Sequence, residues 1–175
     1  MDHLPVTSRL ALRPFTLADD AFIYRLLNTP TWLQFIGDRH IIDLAAARHY
    51  LQHGPLQSYR VNGFGPWLVT LRDTGAPIGM CGFFQRPFLD APDAGLAFLP
   101  EYEGQGYASE ALRACMDYAF DAMGAHRVYA FTLPVNLRCM RLLQAIGFHY
   151  QEMIRPPGEA HALMLYAIQR TPAEI

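Results

Sequence analysis

Residues 103–112 place two glycines, Gly104 and Gly106, two positions apart at the start of a helix-forming run. Glycine adopts backbone angles that other residues resist, and without a Cβ it lets a ligand approach the main chain closely. The unpaired N–H groups of the first helical turn and the positive end of the helix dipole favour an anion here. The segment therefore predicts a pyrophosphate cradle, although a Gly-x-Gly pair also suits a plain tight connection between a strand and a helix.

Other residue types with catalytic or metal-binding chemistry show no such spacing. Cys81, Cys115 and Cys139 are odd in number and far apart, and no Cys-x-x-Cys pair occurs, so we expect free thiols. Histidine can act as an acid–base group or a metal ligand, yet none of the histidines of the C-terminal half, His126, His149 and His161, has a partner at a metal-ligand or catalytic spacing. The sequence therefore predicts no metal site.

The cradle needs a strand before it and a helix after it, and the sequence predicts both. Residues 94–99 are strand-like, and apolar residues recur at helical spacing from Ala108 to a stop at Gly124. A second strand over 128–133 is followed by a short helix that Asn136 can cap.

The remaining elements are predicted from alternation, helix entrances and breakers. Pro30 is expected to break the chain between two N-terminal helices, and Gly54-Pro55 to end the second of them. The predicted strands cover 10–14, 67–71, 78–85, 148–154 and 162–168, the predicted helices cover 16–27 and 43–52, and 171–175 form a tail.

Composition limits the class of protein. The 175 residues are 51% hydrophobic and 13% aromatic, which is enough for one packed domain over 1–175 with a core of 10–168. Fourteen basic and sixteen acidic residues give a net charge of -2 without any basic run, so nucleic-acid and anionic-membrane partners are not expected. No signal peptide and no apolar run of about 20 residues is present, so we expect a soluble cytoplasmic protein.

Two motifs in this order resemble the acetyl-CoA signature of the GNAT N-acetyltransferase superfamily. The first is the glycine loop with its flanks, residues 98–111, and the second is Asn136-x-x-Cys139-x-Arg141, followed by Gly147-Phe148. More narrowly, the chain resembles the branch that includes the ribosomal-protein N-terminal alanine acetyltransferases. The likeness extends over about 10–168 and includes Leu12-Arg13-Pro14, Gly65-x-Trp67 and Pro92-Asp93-x-Gly95.

The resemblance implies an α/β (α+β) fold with a mixed, largely antiparallel sheet, flanked by helices, whose central strands splay to admit the pantetheine arm. It implies an N-acetyltransferase that uses acetyl-CoA as acetyl donor, with direct attack by the amine in a ternary complex. The amide of a residue near Phe98 would face the thioester oxygen. The residues implied to bind the cofactor are Phe98, Leu99, Gly104, Gln105, Gly106, Tyr107, Ala108, Asn136, Cys139 and Arg141. Asn136 can also be a helix cap only, and Arg141 a solvated surface residue.

Two residues depart from the family's pattern. Glu103 opens the glycine loop with a negative charge beside the expected pyrophosphate. Cys139 stands where this branch usually has a serine proposed to protonate the departing thiolate, and a thiol with an ordinary pKa of about 8.5 can also give up a proton. The alternative is that Cys139 is a small buried residue and that solvent protonates the product.

Asp93 is the leading candidate for the base, since the resembling branch has an acidic residue before the splayed strand. An ordinary carboxylate pKa near 4 is a poor match to an ammonium, so Asp93 can instead orient a cationic substrate or simply end a loop. All three interpretations stay open.

The acceptor site is expected between the N-terminal helices, residues 34–38 and residues 86–92. The aromatic residues Trp32, Phe35, Phe64, Trp67 and Phe88 could line it, although aromatic residues are more often core. The acceptor is expected to be a peptide or protein N-terminus or a small amine, and a homodimer is a family-level expectation. The main rival interpretation is a CoA-binding sensor or regulatory module without catalysis.

Overall fold

Seven strands form one mixed sheet in the computed structural model, which describes residues 3–170. The spatial order is β1-β2-β3-β4-β5-β7-β6, and every neighbouring pair except β4 and β5 is antiparallel. The strands are β1 (Leu10–Arg13), β2 (Pro66–Leu71), β3 (Pro77–Phe84), β4 (Asp93–Phe98), β5 (Arg127–Thr132), β6 (His149–Ile154) and β7 (Leu163–Gln169). The predicted fold class is confirmed.

The two central strands touch at one end only. Their parallel register consists of a single pair, Asp93 with Tyr129, and the Tyr129 amide donates to the Pro92 carbonyl at 2.9 Å. Beyond this pair β4 and β5 no longer pair with each other. The expected splay is therefore present, and it opens toward the glycine loop that follows β4.

Six helices flank the sheet, and two of them were not predicted. Pro30 and Pro55 begin helices at the first helical turn, where a missing N–H costs nothing, so reading them only as breakers was wrong. The helices are α1 (Asp20–Leu27), α2 (Pro30–Phe35), α3 (Leu44–His53), α4 (Pro55–Asn62), α5 (Tyr107–Asp121) and α6 (Leu137–Ile146).

The core lies on both faces of the sheet. On one face α5 and α6 pack residues such as Leu112 and Leu143 against β5 and β7, and on the other α1 to α3 pack residues such as Leu26 and Leu51 against β2 and β3. Trp32 and Trp67 are buried, so the core interpretation holds for both. Along β5, Val128 and Ala130 face α5, so by alternation Tyr129 and Phe131 face the other side.

The three cysteines are free thiols, as predicted. Cys81 and Cys115 lie in the core with their sulfur atoms 3.5 Å apart, and Cys139 is half-buried. Within residues 3–170, no helix combines the length and the apolar character needed to cross a bilayer. The predicted tail, 171–175, lies outside the described residues.

Candidate active site

The glycine loop presents a row of unpaired backbone donors. Gly104 and Gly106 adopt positive φ angles of 75° and 83°, and α5 begins directly after Gly106. The first amide of this region with an acceptor is that of Glu110, which donates to the Gly106 carbonyl at 3.0 Å. Within residues 3–170, the six amides of residues 104–109 have no acceptor. Six adjacent donors at a helix N-terminus are the arrangement that a pyrophosphate cradle requires.

Arg9, in the N-terminal segment just before β1, contacts the glycine loop and the first turn of α5. Arg9 binds the Glu110 carboxylate at 2.6 Å and the Gln105 carbonyl at 3.0 Å, and its guanidinium lies 4.4 Å from the centre of the Tyr107 ring. Sequence reasoning missed Arg9. No local pattern signals it, because its carboxylate partner is 101 positions away.

The negative charge of Glu103 is paired. The Arg138 guanidinium, on the first turn of α6, lies 2.6 Å from the Glu103 carboxylate. The pair joins the glycine loop to α6 and removes the objection that Glu103 raises against an anion in the cradle. Sequence reasoning singled out Glu103 and missed Arg138.

The register of β4 shows which amide faces the splay. Leu99 donates to the Ile78 carbonyl at 2.9 Å, so by antiparallel alternation the amides of residues 95, 97 and 99 point toward β3, and those of Leu96 and Phe98 point toward β5. The Phe98 amide therefore points into the splay, and its predicted role at the thioester stays a prediction. Leu99 is buried, its amide is used in the pairing with β3 and its carbonyl accepts from the Tyr102 amide, so Leu99 has no unpaired amide for a ligand. Its role in binding the cofactor stays a prediction.

The start of α6 brings Asn136 and Cys139 together. The Asn136 side chain accepts from the Cys139 amide at 3.1 Å, so Asn136 is a helix cap. Burial raises the pKa of the Cys139 thiol, and a hydrogen bond from Thr132 at the end of β5 partly offsets this. The thiol therefore stays protonated at neutral pH. Arg141 is exposed, and among the described residues it has no hydrogen-bond or ion-pair partner.

Tyr166 on β7 lies beside this thiol. Its side chain is 0% exposed, and its hydroxyl has no hydrogen-bond partner within 3–170. Burial raises the pKa of Tyr166, and negative charge at Cys139 raises it further, so the two groups are in electrostatic reach. A buried hydroxyl without a partner is costly.

Asp93 lies at the other end of the splay. Its carboxylate is 2% exposed and accepts from Arg86 Nε at 3.0 Å. Burial raises the pKa of Asp93 to about 6, although the Arg86 charge lowers it. Asp93 pairs with Tyr129, three residues before Thr132 on β5, so about 10 Å of strand separates Asp93 from Thr132, which hydrogen-bonds the Cys139 thiol.

Arg86, the hydrogen-bond partner of Asp93, lies in the wall of a cleft of about 410 Å³ that Asp93 itself does not line. The other walls of this cleft come from the end of α3, from α4, and from the adjoining ends of β2 and β3; they include Tyr50, His53, Ser58, Asn62 and Phe84. Of the two segments expected at the acceptor site, 86–92 contributes Arg86 to this cleft, and 34–38 contributes no lining residue. Phe88 instead packs on Phe131, with ring centres 6.4 Å apart.

Among residues 3–170, no group of three or more His, Cys, Asp or Glu side chains is arranged to hold a metal ion.

Residues 9–149 match the family described as the acetyltransferase (GNAT) domain. The chain is similar to two Bacillus subtilis proteins. YkkB is 29% identical over 153 residues, covering 86% of this chain and 87% of YkkB. The N-acetyltransferase YnaD is 27% identical over 141 residues, covering 81% of this chain and 79% of YnaD.

Solved structures share the fold. An acetyltransferase from Agrobacterium tumefaciens has a TM-score of 0.80 at 24% identity and covers 95% of this chain and 94% of its own. A ribosomal-protein-alanine acetyltransferase from Vibrio fischeri has a TM-score of 0.81 at 18% identity, over 99% of this chain and 100% of its own. RimL, a ribosomal alpha-N-protein acetyltransferase in complex with coenzyme A, has a TM-score of 0.71 at 17% identity, over 95% and 97%. The chain therefore belongs to the GNAT acetyltransferase family and is an acyltransferase.

Proposed function

We propose that this protein moves the acetyl group of acetyl-CoA to a primary amine by direct attack in a ternary complex. The observation that carries the proposal is the row of six unpaired amides over 104–109, placed where the splay of β4 and β5 opens. The name of RimL, with its bound coenzyme A, supports the same donor.

The donor half of the site would be formed mainly by main-chain groups. The amides of Gly104, Gln105, Gly106, Tyr107 and Ala108 would bind the pyrophosphate, and the edge of β4 would pair with the pantetheine arm. The Phe98 amide would donate to the thioester oxygen as charge develops there, an effect worth about 3 kcal/mol for one preorganised donor. Arg141 is free to bind a phosphate group of the donor.

The acceptor half would use the other face of the sheet. Asp93 would take the proton of the attacking ammonium through a chain of water molecules, since five residues of β4, about 16 Å, separate it from Phe98. A raised pKa suits it to this task better than an ordinary carboxylate. The nitrogen forms its bond to the acetyl carbon, the carbon–sulfur bond breaks, and the thiol of Cys139 would give its proton to the departing thiolate. Asn136, as the cap, would hold Cys139 in place.

A thermal-shift measurement tests the donor site. Acetyl-CoA or CoA at about 100 times its dissociation constant should add roughly 2.7 kcal/mol, which for a chain of this length raises Tm by about 5 to 10 °C. ATP and NAD serve as comparisons and should give much smaller shifts. No shift at saturating acetyl-CoA, or a larger shift with NAD, would require the proposal to be withdrawn.

Turnover then separates an enzyme from a CoA-binding sensor. Release of free thiol from acetyl-CoA is measured with peptides, amino acids and simple amines at pH 8. Thiol release that depends on the amine, with one acetyl group added to that amine by mass, supports catalysis. Binding without turnover on any amine class would favour the sensor.

A further inference from the structure

Glu110, in the first turn of α5, binds the N-terminal segment through four hydrogen bonds. Its carboxylate accepts from the hydroxyls of Thr7 at 2.5 Å and Ser8 at 3.3 Å, and from the amide and the Nε of Arg9 at 3.1 and 2.6 Å. Burial would raise the pKa of Glu110, but the hydrogen bonds from Thr7 and Arg9 hold it below its usual range. The ionised carboxylate therefore ties residues 7–9 to the start of this helix.

The same segment is anchored to the sheet on its other side. Arg72 directly follows β2, and its amide donates to the Arg9 carbonyl at 2.9 Å. Its Nη1 donates to the Thr7 carbonyl at 2.7 Å. Both the main chain and the side chain of Arg9 thus have fixed partners, so its guanidinium is held in one place.

This guanidinium lies against three successive residues of the glycine loop. Its Nη1 donates to the Gln105 carbonyl at 3.0 Å, and among residues 3–170 no other donor reaches that oxygen. Its Nη2 lies 3.3 Å from the position that a Cβ on Gly106 would take, and its carbon lies 4.4 Å from the centre of the Tyr107 ring. The close approach at Gly106 is possible because glycine carries no side chain.

The hydrogen bond to Gln105 fixes the direction of one donor of the cradle. The Gln105 carbonyl and the Gly106 N–H belong to one trans peptide, so they point in opposite directions. A carbonyl held toward Arg9 turns the Gly106 N–H away from Arg9, where it has no acceptor among the described residues. Rotation of this peptide would cost little, since glycine tolerates both signs of φ, and would bring a carbonyl oxygen to face the anion.

We propose that Arg9 is a positioning residue for the acetyl donor, which holds the peptide between Gln105 and Gly106 with its N–H available to the pyrophosphate. This inference rests on the proposed function and names a residue outside the loop on which the cradle depends. Arg9 acts through the loop and not on the ligand, because its charge is paired with Glu110 and its Nη1 is used by Gln105.

The test compares two acetyl donors in wild type and in Arg9→Met. Acetyl-CoA carries the pyrophosphate, and S-acetylpantetheine has the same thioester without it. The first readout is the ratio of kcat/KM between the two donors, with one amine that supports turnover. The second is the dissociation constant of CoA by calorimetry, which needs no turnover. Arg9→Met should lower the ratio and weaken CoA binding by about 10-fold, the lower end of the range for one hydrogen bond to a charged group. Activity with S-acetylpantetheine should change much less.

Arg9→Lys separates the position of the loop from the charge. Lysine keeps a positive charge for Glu110 but lacks the planar fork that binds Glu110 and the Gln105 carbonyl together. This variant should keep most of the wild-type Tm and still lower the donor ratio nearly as far as Arg9→Met. A ratio that returns to the wild-type value in Arg9→Lys would mean that charge alone accounts for the effect, and the positioning role would be wrong.

Arg170→Met is the matched control. Arg170 also binds carboxylates of α5, those of Asp117 and Asp121, and its guanidinium lies 4.9 Å from the centre of the Phe120 ring. Its side chain is 49% exposed, against 44% for Arg9, but it lies at the opposite end of the helix. Its replacement should leave the donor ratio and the dissociation constant of CoA unchanged.

Two further outcomes overturn the inference or its basis. An Arg9→Met variant with a lowered Tm but with the wild-type donor ratio and the wild-type dissociation constant of CoA would show that Arg9 only stabilises the fold, while the proposed function stands. A wild type that does not bind CoA would instead overturn the proposed function and this inference with it.

Discussion

At the residue scale, Asp93 and Cys139 occupy environments that move their pKa values upward for the same reason. Both are largely removed from water, which penalises the charged form of a carboxyl or a thiol. The consequences differ. Asp93, with a pKa of about 6, is ionised at pH 7 and can accept a proton, whereas Cys139 is protonated and can donate one. The sheet lies between them, with Asp93 on the face of Phe131 and the thiol beside Thr132.

Asp93 makes a prediction about the pH dependence of activity. If it is the base, kcat/KM of wild type should rise with an apparent pKa near 6, and Asp93→Asn should lower kcat/KM by roughly 10² to 10⁴ and remove that limb. Asp90→Asn, at an exposed carboxylate in the same segment, should change kcat/KM by less than about threefold. An acid limb that survives in Asp93→Asn would leave Asp93 an orienting role only.

The same shift predicts how stability depends on pH. The pKa of Asp93 in the folded protein lies above its unfolded value of 3.8. The stabilising contribution of Asp93 to the free energy of unfolding is therefore fully present below about pH 4 and is lost as pH rises through 6. Asp93→Asn lacks this titration. The free energy of unfolding of the variant minus that of wild type should therefore be more positive at pH 7 than at pH 4, by up to about 3 kcal/mol. Denaturant unfolding of both proteins across that range measures the difference, and a constant difference contradicts the assigned pKa.

Cys139 makes a separate prediction. Cys139→Ala should lower kcat by about 10² while KM for acetyl-CoA changes little, and Cys139→Ser should retain more activity because a hydroxyl still donates a hydrogen bond. As a protonated thiol, Cys139 should also resist acetylation. The chain has no lysine, so an added acetyl mass could lie only at the N-terminal amine, a thiol or a hydroxyl. Unchanged kcat in Cys139→Ala would mean that the residue only fills space.

At the element scale, the strands and the two site helices were predictable because their signals are local. Alternation, turn residues and the cap Asn136 lie within a few positions of what they define. Pro30 and Pro55 were misread because proline signals both a helix end and a first helical residue, and only packing on the sheet decides between them. Arg9 and Arg138 were missed because their carboxylates are 101 and 35 positions away.

The pair between Glu103 and Arg138 gives a prediction about the loop and α6. Arg138 is 65% exposed, so its replacement should cost only about fivefold in acetyl-CoA affinity, as an unpaired carboxylate is left beside the bound anion. Arg138→Gln should bind acetyl-CoA more weakly than wild type, and adding Glu103→Gln to this variant should restore the affinity. Titration of wild type, Arg138→Gln and the double variant with acetyl-CoA by calorimetry measures these affinities. A double variant as weak as Arg138→Gln would show instead that Arg138 itself contacts the ligand.

At the scale of the whole molecule, the sheet consists of two parts joined by little backbone pairing. β1 to β4 form one part and β5, β7 and β6 the other, and their registers meet at Asp93 and Tyr129 alone. The helix α5 packs against both β4 and β5 and so also connects the two parts. A donor bound along the splay would add main-chain hydrogen bonds to both the β4 edge and the start of α5.

Amide hydrogen exchange should detect the hydrogen bonds that a bound donor adds to β4 and to the start of α5. Without ligand, the amides of 104–109 and those of Leu96 and Phe98 should exchange rapidly, since the former have no protein acceptor among the described residues and the latter face the splay. Saturating acetyl-CoA should slow both sets together, while amides of β2 and β3, which are already paired, change only with global stability. ATP provides the control ligand. Slower exchange in the loop alone, without slower exchange at Leu96 and Phe98, would mean that the anion binds but the pantetheine arm does not enter the splay. The proposed position of the thioester at Phe98 would then be wrong.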